Sequence, residues 1–183
     1  MTNQLSGASG QVRAIFDGVV SAGLRRGSVV GASDEEIDRF AAEQGVVRVP
    51  AAVREVLRII GGQPGLWFAG THFGVHAIDA GTKSAATATV DNVPHDIRDV
   101  PGMLVLSAHQ GYAYQMIDGA VLDQDDPPVW DVSEGEEARQ AWSSVSAWFA
   151  ASAPNIPELY EMLQLKREIG RPVPSWAADI EDP

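Results

Sequence analysis

His72 and His76 stand four residues apart, the spacing at which two imidazoles on one helix face can hold a zinc ion. Gly70 and Gly74 interrupt that stretch, and "FGVHAID" has the aromatic and branched composition of a strand. On a strand, positions i and i+4 share a face but lie about 13 Å apart at roughly 3.3 Å per residue, too far to share an ion. "DNVPHDIRD" gathers Asp91, His95, Asp96 and Asp99, the side chains of acid–base and metal chemistry. Its Asn-Val-Pro and Asp-Val-Pro-Gly steps read instead as a solvated connection, so a metal-dependent hydrolase using Asp91, His95 and Asp96 is the least favoured reading. Asp123 and Asp125 of "DQDDPP" begin like a calcium loop, but the glycine at the sixth position and the closing glutamate are missing. Ser107 and His109 fall on one strand face without a G-x-S-x-G elbow or any oxyanion device. No catalytic residue, metal ligand or cofactor is expected.

The glycines of "RIIGGQPGLWF" pose a separate question, because glycine clusters can cradle phosphates. A phosphate loop follows a strand, precedes a helix and ends in Gly-Lys-Ser/Thr. Gly61-Gly62 shows the reverse order and no lysine, so the pair is expected to stop a helix ahead of a Pro-Gly turn.

Charge narrows the partners. The chain carries a net charge of −12 with a pI near 4.6. Residues 1–60 hold 7 basic and 7 acidic side chains, whereas residues 61–183 hold 6 against 18. Between Arg98 and Arg139 there is no lysine or arginine. Such a surface repels nucleic acid and anionic membrane and would steer in a basic protein, and the alternative reading of the charge is that it serves solubility alone. Asp118, Asp123, Asp125, Asp126, Asp131, Glu134 and Glu137 are therefore expected to face a partner. The absence of cysteine removes disulfides and thiolate zinc sites and fits the cytoplasm. "MTNQLSGASGQ" has neither the basic nor the apolar region of a secretory signal, and no apolar run is long enough to span a bilayer.

Hydrophobic residues at 45% and charged residues at 21% are the values of a globular domain. Val12, Ile15, Phe16, Val19 and Val20 mark a first helix over about 11–26. Ser33-Asp34-Glu35-Glu36 is a capping box opening a second, with Ile37, Phe40 and Ala41 inward and Gly45 at its stop. Pro50 opens a third, whose apolar side is Val53, Val56, Leu57 and Ile60. "LWFAG", "FGVHAID", "MLVLSAH", "YAYQMID" and "PPVWDV" read as strands, with a short helix capped near Asp79 among them. In "YAYQMI" one face carries Tyr112, Tyr114 and Met116. Two helical stripes follow: Ala138, Ala141, Trp142, Val145, Trp148 and Phe149, then Leu159, Tyr160 and Leu163 with Lys166 and Arg167 at its end. The tail "RPVPSWAADIEDP" is expected to be extended, with Trp176 either packed back or offered to a partner. Grouped helices and strands argue for one α+β domain over 1–183 with a mainly antiparallel sheet of about four to six strands.

Taken in order, these pieces resemble the SUKH superfamily, which includes many bacterial toxin-immunity proteins and a fungal cell-wall-synthesis regulator. "SDEEIDRFAAEQGVVRVPAAVREVLRIIGGQPG" is similar to its entry: Ile37 and Phe40 in an acidic helix, Val49-Pro50 at the L-P link, and Ile60-Gly61-Gly62 at the N-G-G end, with isoleucine in place of asparagine. "MLVLSAHQGYAYQMI" resembles its paired central strands, "PPVWDV" the strand entering the last helix, and "SSVSAWFA" the closing helix. The resemblance spans about residues 33–151 and leaves out the first helix and the region 155–183. It implies a non-catalytic protein-binding module, often one that neutralises a nuclease or another toxin. A regulatory or scaffold domain with a non-toxin partner is the alternative.

Overall fold

The computed structural model describes residues 7–181; Met1–Ser6, the start of the stretch read for a signal, and the last two residues lie outside them. The chain is α+β, with helices α1 (Ala8–Ser21), α2 (Asp34–Glu43), α3 (Ala51–Ile60), α4 (Ala80–Asp91), α5 (Val145–Ala151) and α6 (Ile156–Glu168). The strands β1 (His72–Phe73), β2 (Leu104–His109), β3 (Ala113–Ile117), β4 (Val129–Ser133) and β5 (Arg139–Trp142) form one antiparallel sheet in sequence order. No helix among the described residues is long and apolar enough to cross a membrane.

Local chemistry starts the helices where the sequence marks them. Glu36 N–H donates to Ser33 Oγ at 3.3 Å while Ser33 N–H donates to Glu36 Oε2 at 2.8 Å, completing the capping box of α2. Thr82 N–H donates to Asp79 Oδ1 at 2.8 Å at the start of α4. Arg58 and then Arg54 bind Asp34, holding its carboxyl below the usual range and tying α2 to α3. The glycines are indeed a joint. Gly61 donates its N–H to the Leu57 carbonyl at 2.8 Å, and Gly62 and Gln63 donate theirs to the Val30 carbonyl at 2.9 and 2.8 Å, so the amides of the Gly-Gly pair are already engaged. At Gly74, φ is +96° and a Cβ would meet the Gly61 oxygen at 2.4 Å, so only glycine lets these two chain segments cross.

One hydrophobic core runs through the molecule. α4 packs on one face of the sheet, whereas α5 packs on the other and carries α1 and α3 behind it. An aromatic chain fills the second interface: Phe16 to Trp67 at 5.7 Å, Trp67 stacked on Phe149 at 5.1 Å, and Phe68 stacked on Trp148 at 5.0 Å and on Phe73 at 4.3 Å.

Five local expectations fail. α1 ends at Ser21 rather than near residue 26, because Gly23 (φ +112°) turns the chain so that Leu24 pairs with Ile180. "LWFAG" is a series of turns with Gly65, Phe68 and Gly70 at positive φ, and "FGVHAID" keeps only the two strand residues of β1 before Gly74 turns it. The stripe from Ala138 to Phe149 is two elements: Arg139–Trp142 pairs with β4 as β5, and Ser144 then caps α5 by accepting from Ala147 N–H at 3.0 Å. The tail is not simply extended. Ser175–Asp179 forms a 3₁₀ turn that half-buries Trp176, and the Asp179 carbonyl accepts from Arg25 N–H at 2.8 Å.

β1 covers β2 only at Ser107 and Ala108, so the rest of that edge needs other partners. Gln44, buried at the end of α2, takes the place of a strand: Val105 N–H donates to its Oε1 at 2.9 Å, and its Nε2 donates to the Val105 carbonyl at 3.2 Å. Beside it Lys83 Nζ donates to the Met103 carbonyl and, at 3.2 Å, to the Gln44 carbonyl. Burial pulls the Lys83 ammonium below its ordinary value, with Asp99 opposing. Replacing Gln44→Leu orphans a buried N–H and a buried C=O at once. The expected loss is about 2–4 kcal/mol, read from urea midpoints with an unchanged slope; a loss within error would show that this edge does not depend on Gln44.

Candidate functional site

The acidic residues expected to share a surface fall into three groups. Asp118 is the clearest correction: its side chain is 5% exposed and turned inward. The N–H groups of Arg98, Asp99 and Ala120 donate to it at 3.0, 2.9 and 3.0 Å, and Arg98 Nε lies 3.5 Å away. Burial opposes its ionisation, but these donors together hold its carboxyl below the usual range. It therefore fastens the 98–99 segment to the end of β3 and presents no carboxylate to a partner. Asp126 is also engaged internally, accepting from Ser146 N–H at 2.9 Å and Ser146 Oγ at 2.5 Å near the start of α5. Asp131 pairs with Arg139 across β4 and β5 at 3.3 Å.

The exposed remainder is divided by β4. Asp123 and Asp125 lie in the 118–128 connection before Val129, whereas Glu134, Glu136 and Glu137 lie on the turn after Ser133. The strand between them spans about 13 Å at roughly 3.3 Å per residue. All five side chains are exposed and none enters an ion pair among the described residues. The turn also meets the β2–β3 hairpin, where Glu134 N–H donates to the Tyr112 carbonyl at 2.9 Å. Tyr112 is not on the inward face with Tyr114 and Met116. It stands 44% exposed in the hairpin turn, while those two are buried.

Beside this turn the sheet face that carries Gln115 is left partly open by α5. The opening is a groove of about 500 Å³ between the Leu66–Thr71 turns and strands β2 to β4. Ser107 and His109 both line it, as alternation places them, but they do not bond to each other. Ser107 Oγ donates to Gln115 Oε1 at 2.8 Å, and His109 Nδ1 lies 3.2 Å from Thr71 Oγ1. Asp131 and Ser133 supply the β4 wall. Gln115 and Ser133 escaped attention in the sequence, although "S-x-H" on β2, Gln115 on β3 and "D-x-S" on β4 repeat a polar period-2 pattern inside otherwise apolar strands.

The remaining candidates do not converge. His72 is exposed on β1, and His76 sits in the following turn with Nε2 3.5 Å from Glu36 Oε1. Asp91 ends α4 and is exposed, as is Asp96, while His95 is half-buried with Nδ1 unbonded among the described residues. Asp99 accepts from Gly102 N–H at 2.9 Å. No group of three or more His, Asp or Glu among the described residues is arranged to hold a metal ion. No protein-family model matches the chain, and no curated protein matches it at a significant level.

Asp118 makes the internal role testable. Asp118→Asn is expected to cost about 2–3 kcal/mol near neutral pH, because it places an amide against buried N–H groups. The folded carboxyl titrates below its unfolded value of about 3.9, so its contribution is complete above that pH and is lost as pH falls through the folded pKa. Urea midpoints taken from neutral to strongly acid pH should therefore converge for the two proteins at the acid end. A gap of constant size would contradict the ionised role.

Proposed function

We propose that this chain is a non-catalytic protein-binding module that acts as an immunity protein, neutralising a bacterial toxin by covering a basic surface. A nuclease is the kind of toxin that best fits, since the surface that meets phosphate must itself be basic. The resemblance to the SUKH superfamily supports the class, and the charge supports the partner's chemistry. One observation carries the reading: Glu134, Glu136 and Glu137 are exposed on a single turn and enter no ion pair among the described residues.

The contrast with the other end of the chain gives that observation its weight. There Asp34 and Glu55 are each held by two arginines, and Asp38, Asp17 and Glu35 have one each. Carboxylates gathered without counter-charge repel one another, and a cationic partner relieves that repulsion while gaining a faster encounter. Tyr112 beside the turn is the kind of exposed aromatic that anchors protein interfaces. The open edge of β5, with Arg139, Gln140 and Ala141 exposed, adds a contact continuous with the turn. The same surface disfavours nucleic acid and anionic membrane as ligands, and the lack of cysteine suits work in the cytoplasm.

Co-expression with the product of the adjacent gene, scored for growth rescue and for co-purification, tests the reading. Reversing Glu134, Glu136 and Glu137 to lysine should weaken the complex by at least about tenfold and flatten its dependence on salt. Reversing Asp123 and Asp125, at the far end of β4, should do much less. Affinity and salt dependence unchanged in the turn variant would contradict the proposed surface, and binding without rescue would shift the role to regulation or scaffolding.

A further inference from the structure

The groove on the Gln115 face has a chemistry that the acidic turn does not explain. Gln115 Oε1 accepts from both Ser107 Oγ and Trp148 Nε1 at 2.8 Å. Two donors on one atom fix which end of the carboxamide is oxygen, so Nε2 must point the other way. That Nε2 donates to no acceptor among the described residues, and Gln115 lines the groove. The half-buried carboxamide is thus oriented by Ser107 and Trp148 so that its NH₂ donors are turned away from both.

We propose that this groove is a binding site for a neutral saccharide. Gln115 and Asp131 are direct cross-strand partners, so their side chains leave the sheet side by side on one face, about 5 Å apart at Cβ. One supplies donors and the other a carboxylate acceptor. Ser133 and Thr71 add hydroxyls that both donate and accept. A ligand matching this mixture carries groups that also do both, at close spacing, and sugar hydroxyls are such groups. The single carboxylate is offset by Arg139, so the groove selects for no net charge in spite of the acidic turn nearby.

Shape points the same way. A volume of about 500 Å³ is that of a small-molecule site and suits one or two sugar rings. An extended peptide would add along a strand edge, where backbone groups are free, rather than across this face. Tyr112 at the mouth and Phe68 on the wall offer ring surface to the apolar side of a sugar. Phe68 itself is held at φ +54°, a conformation bulky residues rarely adopt, and stacking on Phe73 and Trp148 keeps it there.

Saturation-transfer NMR on the full chain with glucose, galactose, mannose, ribose and N-acetylglucosamine tests the proposal. Transfer to at least one sugar is expected. Gln115→Glu keeps an acceptor for Ser107 and Trp148 but replaces the NH₂ donors, and should weaken that binding by about tenfold or more. Tyr112→Ala, at an exposed side chain that supports no core contact, should weaken it as well. No transfer to any of these sugars, or transfer that survives both substitutions unchanged, would overturn the proposal. Neither result bears on the toxin-neutralising surface, which is read by partner affinity alone.

Discussion

β2 is buried on both faces yet has a strand neighbour along only part of one edge, and the remainder of the fold is arranged around that deficit. Buried backbone groups must be hydrogen-bonded. The two residues of β1 satisfy Ser107 and Ala108, after which Gly74 turns the chain away. Gln44 then completes Val105, and Lys83 completes Met103. These side chains come from α2 and α4, so the strand's unmet hydrogen bonds fix where both helices sit. A register irregularity lies between Val105 and Ser107, where the side-chain partner gives way to the strand partner. From that point Ser107 and His109 face the groove, with Gln115 and Asp131 aligned beside them.

The same packing separates two electrostatic regimes. In α1 to α3 the arginines lie among the carboxylates they neutralise, and the pairs join one helix to the next. Mostly exposed pairs of this kind add little stability each, and their main consequence is a surface without strong net field. Between Arg98 and Arg139 the chain has no lysine or arginine, and those two flanking arginines pair only with Asp118 and Asp131 among the described residues. The fold turns Asp118 inward and uses Asp126 to anchor α5, and it leaves Glu134, Glu136 and Glu137 at the sheet's end. Composition shows the excess charge, but only the turn after β4 shows where it is concentrated.

Elements with local causes were legible in the sequence. The Ser33–Glu36 box, the Asp79 cap, Pro50 before α3 and the apolar runs of β2, β3 and β4 each depend on residues a few positions apart, and each forms where its signal lies. Elements decided by distant partners were not. The spacing of Ala138, Ala141, Trp142 and Val145 satisfies a helix, yet pairing with β4 makes the first part a strand. Trp67 and Phe68 have strand propensity, yet the backbone turns so that one ring reaches Phe149 and Phe16 and the other reaches Trp148. The candidate site was half legible. Charge marked Glu134 and Glu137, but the burial of Asp118 and the cross-strand alignment of Gln115 with Asp131 depend on register, which single residues do not reveal.

The central claim is that a basic protein partner lands on the acidic turn and the Tyr112 hairpin. Hydrogen exchange of the chain, free and bound to the product of the neighbouring gene, addresses it residue by residue. The account predicts new protection confined to the Gln110–Tyr112 hairpin, the turn after Ser133 and the open edge of β5. Protection on α2, α3 or α6 with the turn unaffected would contradict it.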